Sequence, residues 1–156
     1  MVPVSDSMLE ITTGLLLFIQ SQMSLFNSIE PPHIEFMPVE EISDIACTMP
    51  CGGIKGWTPP GDTVYLSNEL SINQDMFDRS IVLHELVHYV QYRYILTEKA
   101  TDCLTWKARE AQAYKIQYEW LRKNNVRYNT MSLDLTMRNF HRVQCAPDAD
   151  GHAAHS

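Results

Sequence analysis

Two rhythms of apolar and polar positions run along the chain, one at helical spacing and one at strand length. Met8, Leu9, Leu15, Leu16 and Ile19 recur at helical intervals behind Ser5-Asp6-Ser7, residues suited to helix caps. This predicts an amphipathic helix running to about Met23, weakened slightly by Gly14. Pro31-Pro32 then breaks the chain, and His33 to Phe36 reads as a short strand ended by Pro38. Between Cys47 and Pro60 lie three of the six glycines and three of the eight prolines, so this stretch reads as loop or tight turns framing no regular element. Asp62 to Ser67 (DTVYLS) carries β-branched and aromatic residues at strand length.

From about Gln74 to Tyr94, the residues Met76, Phe77, Ile81, Leu83, Leu86, Val87 and Val90 cover more than one helical face. That pattern predicts a helix buried on most sides. A second long helix is expected from Thr101-Asp102, plausible caps, to Asn124-Asn125, plausible terminators. Leu104, Trp106, Ala111, Tyr114, Tyr118 and Leu121 supply its apolar contacts. A shorter helix is expected around Ser132 to Val143, and residues 146–156 read as a flexible tail. With 156 residues and 45% apolar content, the chain is expected to form one domain over residues 1–145.

The formal charge of -7 argues against a nucleic-acid partner, since phosphate backbones call for a basic face. The longest apolar run near the start, Leu15 to Ile19, falls far short of the roughly 20 residues that span a bilayer, and no basic segment of a signal peptide precedes it. Cys47, Cys51, Cys103 and Cys145 form an even set without a C-x-x-C pair, which favours disulfides over a cysteine zinc site. The competing reading is four free thiols in a cytosolic protein. Three pairings are possible. Cys47 with Cys51 across the Met-Pro turn and Cys103 with Cys145 is the expected one, and it implies export to the periplasm or outside the cell, with a signal peptide removed before Met1.

His84-Glu85-Leu86-Val87-His88 is H-E-x-x-H within the central helix. Residues four apart lie about 40° apart around a helix, so both imidazoles can converge on one ion. Glu85 sits about 100° round from His84, placed to reach a metal-activated water without entering the ligand set. This composition yields the pattern by chance roughly 0.01 times per chain. The alternative is a pair of satisfied core or surface histidines, which would need partners if buried.

Two histidines leave a catalytic zinc site one protein ligand short. Here the motif resembles the zincin metallopeptidases. Metzincins continue with Gly and a third His, but Gln91 and Tyr94 stand at those places. Gluzincins take a glutamate from a following helix, and Arg109-Glu110-Ala111-Gln112-Ala113-Tyr114 stands where that helix belongs, with Glu110 22 residues after His88. Ala111 and Ala113 would allow close helix approach. Rivals for the third ligand are Glu98, Asp102, more simply a cap, and Glu119, more simply solvated. Glu110 itself has the alternative of an ordinary surface carboxylate.

The resemblance covers about Asp62 to Leu121 and looks like a minimal gluzincin core. It implies an α+β, zincin-like fold with a small, mostly antiparallel sheet, DTVYLS as the edge strand that pairs with substrate, one zinc ion, and a peptide or protein substrate. Hydrolysis would use Glu85 as general base. Tyr114 replaces the aspartate that larger gluzincins carry one turn after the glutamate ligand, so the group orienting the histidines is open. Candidates for stabilising the oxyanion are Tyr114, Tyr128 and His141. Trp57 is an aromatic placed to line a cleft, His33 is expected to be exposed, and His152 and His155 sit in a polar tail suited to incidental metal binding rather than a designed site. Two other classes compete: a zincin-like regulatory or binding module acting through a protein partner, and a structural zinc protein, which would want four protein ligands.

Overall fold

The computed structural model describes residues 7–47, 54–95 and 102–126, together with 133, 137–138, 142 and 144–145. The first helix, α1 (Met8–Met23), begins where Ser7 accepts a hydrogen bond from the Glu10 amide, and it turns Ile11, Leu15, Leu16 and Ile19 inward. Strand β1 (His33–Met37) follows the proline pair. Pro38 does more than end that strand: it is the N-cap of a helix the periodicity did not lead us to expect, α2 (Val39–Ala46), with Glu40 and Glu41 in its first turn. Ile42 and Ala46 bury its inner side, and the helix packs on the sheet.

The glycine- and proline-rich stretch is not wholly irregular. Gly56–Trp57 forms a two-residue strand, β2, antiparallel to β3 (Thr63–Ser67). Strand β1 runs parallel to β3 over five residue pairs, from His33 opposite Thr63 to Met37 opposite Ser67. The fold is thus α+β, as expected, with a mixed sheet of order β1-β3-β2 in place of a mostly antiparallel one. One placement is corrected: β3, the DTVYLS strand, is central rather than at the edge, and β1 and β2 hold the two edges. The inward residues of β3, Val64 and Leu66, are fully buried, as a strand with neighbours on both sides requires.

Helix α3 (Met76–Val90) opens at Asp75, whose carboxylate accepts from the amides of Phe77 (2.8 Å) and Asp78 (3.2 Å). It ends in a π-helical turn, Gln91–Ile95. Every residue from 82 to 90 is buried, which explains apolar positions on all sides of the sequence pattern. Helix α4 (Cys103–Lys123) is capped by Asp102, which accepts from the Thr105 amide at 2.8 Å. It packs along α3, and its Ala113, Ile116 and Leu121 belong to the common core. Leu104, expected in the interface, is exposed.

Leu133, Met137 and Arg138 are helical, and the rest of the expected third helix lies outside the described residues. So do the tail and Cys51, and with it the expected Cys47–Cys51 pair. Among the described residues, no helix is long and apolar enough to cross a membrane.

Cys103 and Cys145 are joined by a disulfide, as expected, across 42 residues of sequence. Such a bond fits an oxidising environment. Closing a loop of this length restricts the unfolded chain, so Cys103→Ser with Cys145→Ser should lower stability by about 2–4 kcal/mol. Urea unfolding checks this, and an unchanged midpoint would mean that tethering residue 145 to α4 does not support the fold.

Candidate metal centre

The interior of α3 carries three groups that are costly to bury: His84 and His88 are 4% exposed and Glu85 is 2% exposed. Glu110 comes to them from α4 and is equally hidden, at 2%. It is no surface carboxylate. Of the two alanines expected to allow close helix approach, Ala113 is fully buried and Ala111 only half-buried.

The four-residue spacing sets the two imidazoles edge to face, with Nε2 atoms 3.2 Å apart. Glu110 places Oε1 3.2 Å from His84 Nε2 and Oε2 2.5 Å from His88 Nε2. Among the described residues, His84, His88 and Glu110 are the group of side chains able to hold a metal ion. They form the compact, zinc-ligand-like triad of a gluzincin H-E-x-x-H…E motif.

Which ring nitrogen carries the proton follows from two glutamines that the motif did not reveal. Ser80 donates its hydroxyl to the Phe77 carbonyl at 2.6 Å, so it accepts from Gln117 Nε2 at 3.0 Å. Gln117 Oε1 is thereby turned to His84 Nδ1, 3.0 Å away, and that nitrogen must donate. On the other side, Gln91 Nε2 donates to the Arg109 carbonyl (3.1 Å) and Gln112 Oε1 (2.8 Å). Gln91 Oε1 therefore accepts from His88 Nδ1 at 2.9 Å. These glutamines answer the open question of what orients the histidines. Gln117 was legible in principle, since it stands two helical turns beyond Glu110 on the same face.

The consequence is chemical. Two Nε2 lone pairs and a carboxylate face one another, and only a cation between them relieves the arrangement. Nitrogens bound to zinc at about 2.0–2.1 Å in a tetrahedron stand about 3.3–3.4 Å apart, close to the 3.2 Å found here. Without a metal, a proton takes that place. Burial works against a charged His88, but the charge and hydrogen bond of Glu110, joined by the charge of Glu85, raise its pKa to about 9. Burial likewise opposes ionised Glu110, and His88 and His84 outweigh it, holding the carboxyl well below the usual carboxylate range.

Glu85 lies outside the triad. Its Oε1 and its own carbonyl both face the Thr58 hydroxyl, at 2.9 and 3.0 Å. Tyr114 packs its ring on His84, centroids 4.6 Å apart. Burial, then the charges of Glu110 and Glu85, push its hydroxyl above the usual tyrosine range, so it remains a donor. Tyr92, one turn after His88, is raised by burial and, against the pull of Arg109, by the same two carboxylates. Neither Tyr92 nor Arg109, whose guanidinium lies 5.2 Å from the Tyr92 ring centroid, was singled out by the motif for a place beside the centre. Tyr128, His141 and Glu98 lie outside the described residues.

The remaining expected residues stand apart. Asp102 is a cap, Glu119 pairs with Arg122 at 2.8 Å, and His33 is exposed beside Glu35. Trp57 stacks on Tyr65, centroids 5.5 Å apart.

A family model described as Domain of unknown function (DUF6647) matches residues 5–148. No curated protein and no solved structure matches the chain.

Proposed function

We propose that this chain, which belongs to the DUF6647 family, is a zinc-dependent peptidase of gluzincin type, exported and acting on a peptide or protein substrate. The observation that supports it most is the convergence of two lone pairs and a carboxylate on one point, with a second carboxylate, Glu85, held beside them. His84, His88 and Glu110 would hold one zinc ion and leave a fourth position for water. Zinc, when bound, supplies a Lewis acid that acidifies water and polarises the scissile carbonyl. Glu85 takes a proton from the attacking water as its oxygen bonds to the carbonyl carbon. The same carboxyl gives that proton to the amine as the C–N bond breaks. Tyr114, kept protonated, donates to the developing oxyanion. The disulfide supports export to an oxidising compartment.

One observation favours a second reading, a zincin-like module that holds metal and acts through a protein partner. All four groups are at most 4% exposed, which suits a metal held without turnover. Elemental analysis together with turnover of a peptide library by the zinc-loaded protein separates the two. One zinc per chain with cleavage supports the peptidase, and one zinc without cleavage supports the module.

Metal uptake should also release protons. With its pKa raised to about 9, His88 is protonated at pH 7 in the metal-free protein, and zinc must displace that proton. Calorimetric titration in buffers of different ionisation enthalpy should show at least about one proton released per zinc at pH 7. The share owed to His88 should vanish as the pH rises through 9, where His88 is already neutral, leaving only what a zinc-bound water would give up. No release at pH 7 would mean that the triad is not closed by a proton.

A further inference from the structure

We propose that Thr58 is the positioning residue of Glu85, holding its carboxylate through Oε1 in the place from which it transfers the proton. The inference rests on the peptidase reading and adds a residue outside the motif. Gly56 and Thr58 are both buried, and Trp57 between them points the other way onto Tyr65, so alternate residues of this edge turn towards α3. Gly56 has a steric reason to be glycine: a Cβ there would meet Glu85 Cγ at 2.7 Å, with Cδ and Oε2 at 3.1 Å. The strand therefore closes directly over the carboxylate, and Thr58 meets it with its hydroxyl.

That hydroxyl has a single hydrogen and two acceptors, Glu85 Oε1 at 2.9 Å and the Glu85 carbonyl at 3.0 Å. While Glu85 is ionised, the carboxylate is the stronger acceptor and Oε1 is held. Once Glu85 has taken the proton from water, the neutral carboxyl accepts less well and the helix carbonyl takes the hydrogen. The buried donor is satisfied in both states, so neither half of the proton-transfer cycle strands it. Oε2 lies under Gly56, so the same edge that supplies the Thr58 hydroxyl also confines the second oxygen.

Thr58→Val keeps the side-chain shape and removes the donor. With zinc content and thermal midpoint unchanged, it should lower kcat by about 10- to 100-fold and leave KM within about twofold. Thr58→Ser, which keeps the hydroxyl, should restore kcat to within about threefold of wild type. On the Glu85→Gln background, Thr58→Val should change the residual rate by less than about twofold, because the group it positions is already gone. Gly56→Ala, which keeps Thr58 but presses on Glu85, should also lower kcat with zinc retained, and it tests the cradle even if Thr58→Val does not fold. Wild-type kcat from zinc-loaded Thr58→Val or from Gly56→Ala, or equal losses from Val and Ser, would overturn the role of Thr58 and leave the peptidase reading standing. A zinc-loaded wild type that cleaves no peptide would overturn both.

Discussion

Glu85→Gln should hold one zinc per chain and hydrolyse peptides about 10²- to 10⁴-fold more slowly than wild type. The expectation follows from where the carboxylate stands. Glu85 is buried against Gly56 and Thr58 and takes no place in the triad, so an isosteric amide fits the same space. Its oxygen can still accept from Thr58, as Glu85 Oε1 does at 2.9 Å. What it cannot do is take a proton from water at neutral pH. The triad keeps its glutamine partners, so zinc content and fold should be preserved while turnover collapses. Hydrolysis at the wild-type rate with zinc bound would show that this carboxylate transfers no proton, and the metal-holding module would become the better reading.

The parts of this site visible in sequence lie on two long helices. Helical spacing alone brings His84 and His88 together with Glu85 beside them, whereas Glu110 was visible only through the resemblance to gluzincins, which take a ligand from a following helix. What remained hidden depends on closure between elements. Strand β2 is two residues long, too short to show alternation, yet it covers Glu85. Its pairing with β3 also moves DTVYLS from the expected edge to the centre of the sheet. Helix α2 is hidden behind a proline with two roles: Pro38 ends β1 and, followed by Glu40 and Glu41, also starts a helix. Gln91 is marked by no sequence pattern, and Gln117 only by its place two helical turns beyond Glu110 on the same face. Their roles appear only when the Arg109 carbonyl and the Ser80 hydroxyl decide which way each amide turns.

His84→Ala should lose metal and activity together, in contrast to Glu85→Gln. Removing His84 takes one of the two inward lone pairs and leaves His88 and Glu110, already 2.5 Å apart, to satisfy each other without a metal. The comparison is cleanest in stability. A ligand that binds only the folded state stabilises it by about 2.7 kcal/mol at 100 times its Kd, so wild-type melting should rise with added zinc and fall with a chelator. The variant should melt at one temperature under both conditions. Chelated wild type and His84→Ala should both be inactive, but only the wild type should recover when zinc is restored. The variant also leaves Gln117 Oε1 without its imidazole partner, so its folded state must be checked by circular dichroism before lost metal is read as lost ligation. A well-folded His84→Ala that still takes up one zinc and gains thermal stability from it would place the metal elsewhere, and the triad would then be a buried, proton-bridged cluster rather than a ligand set.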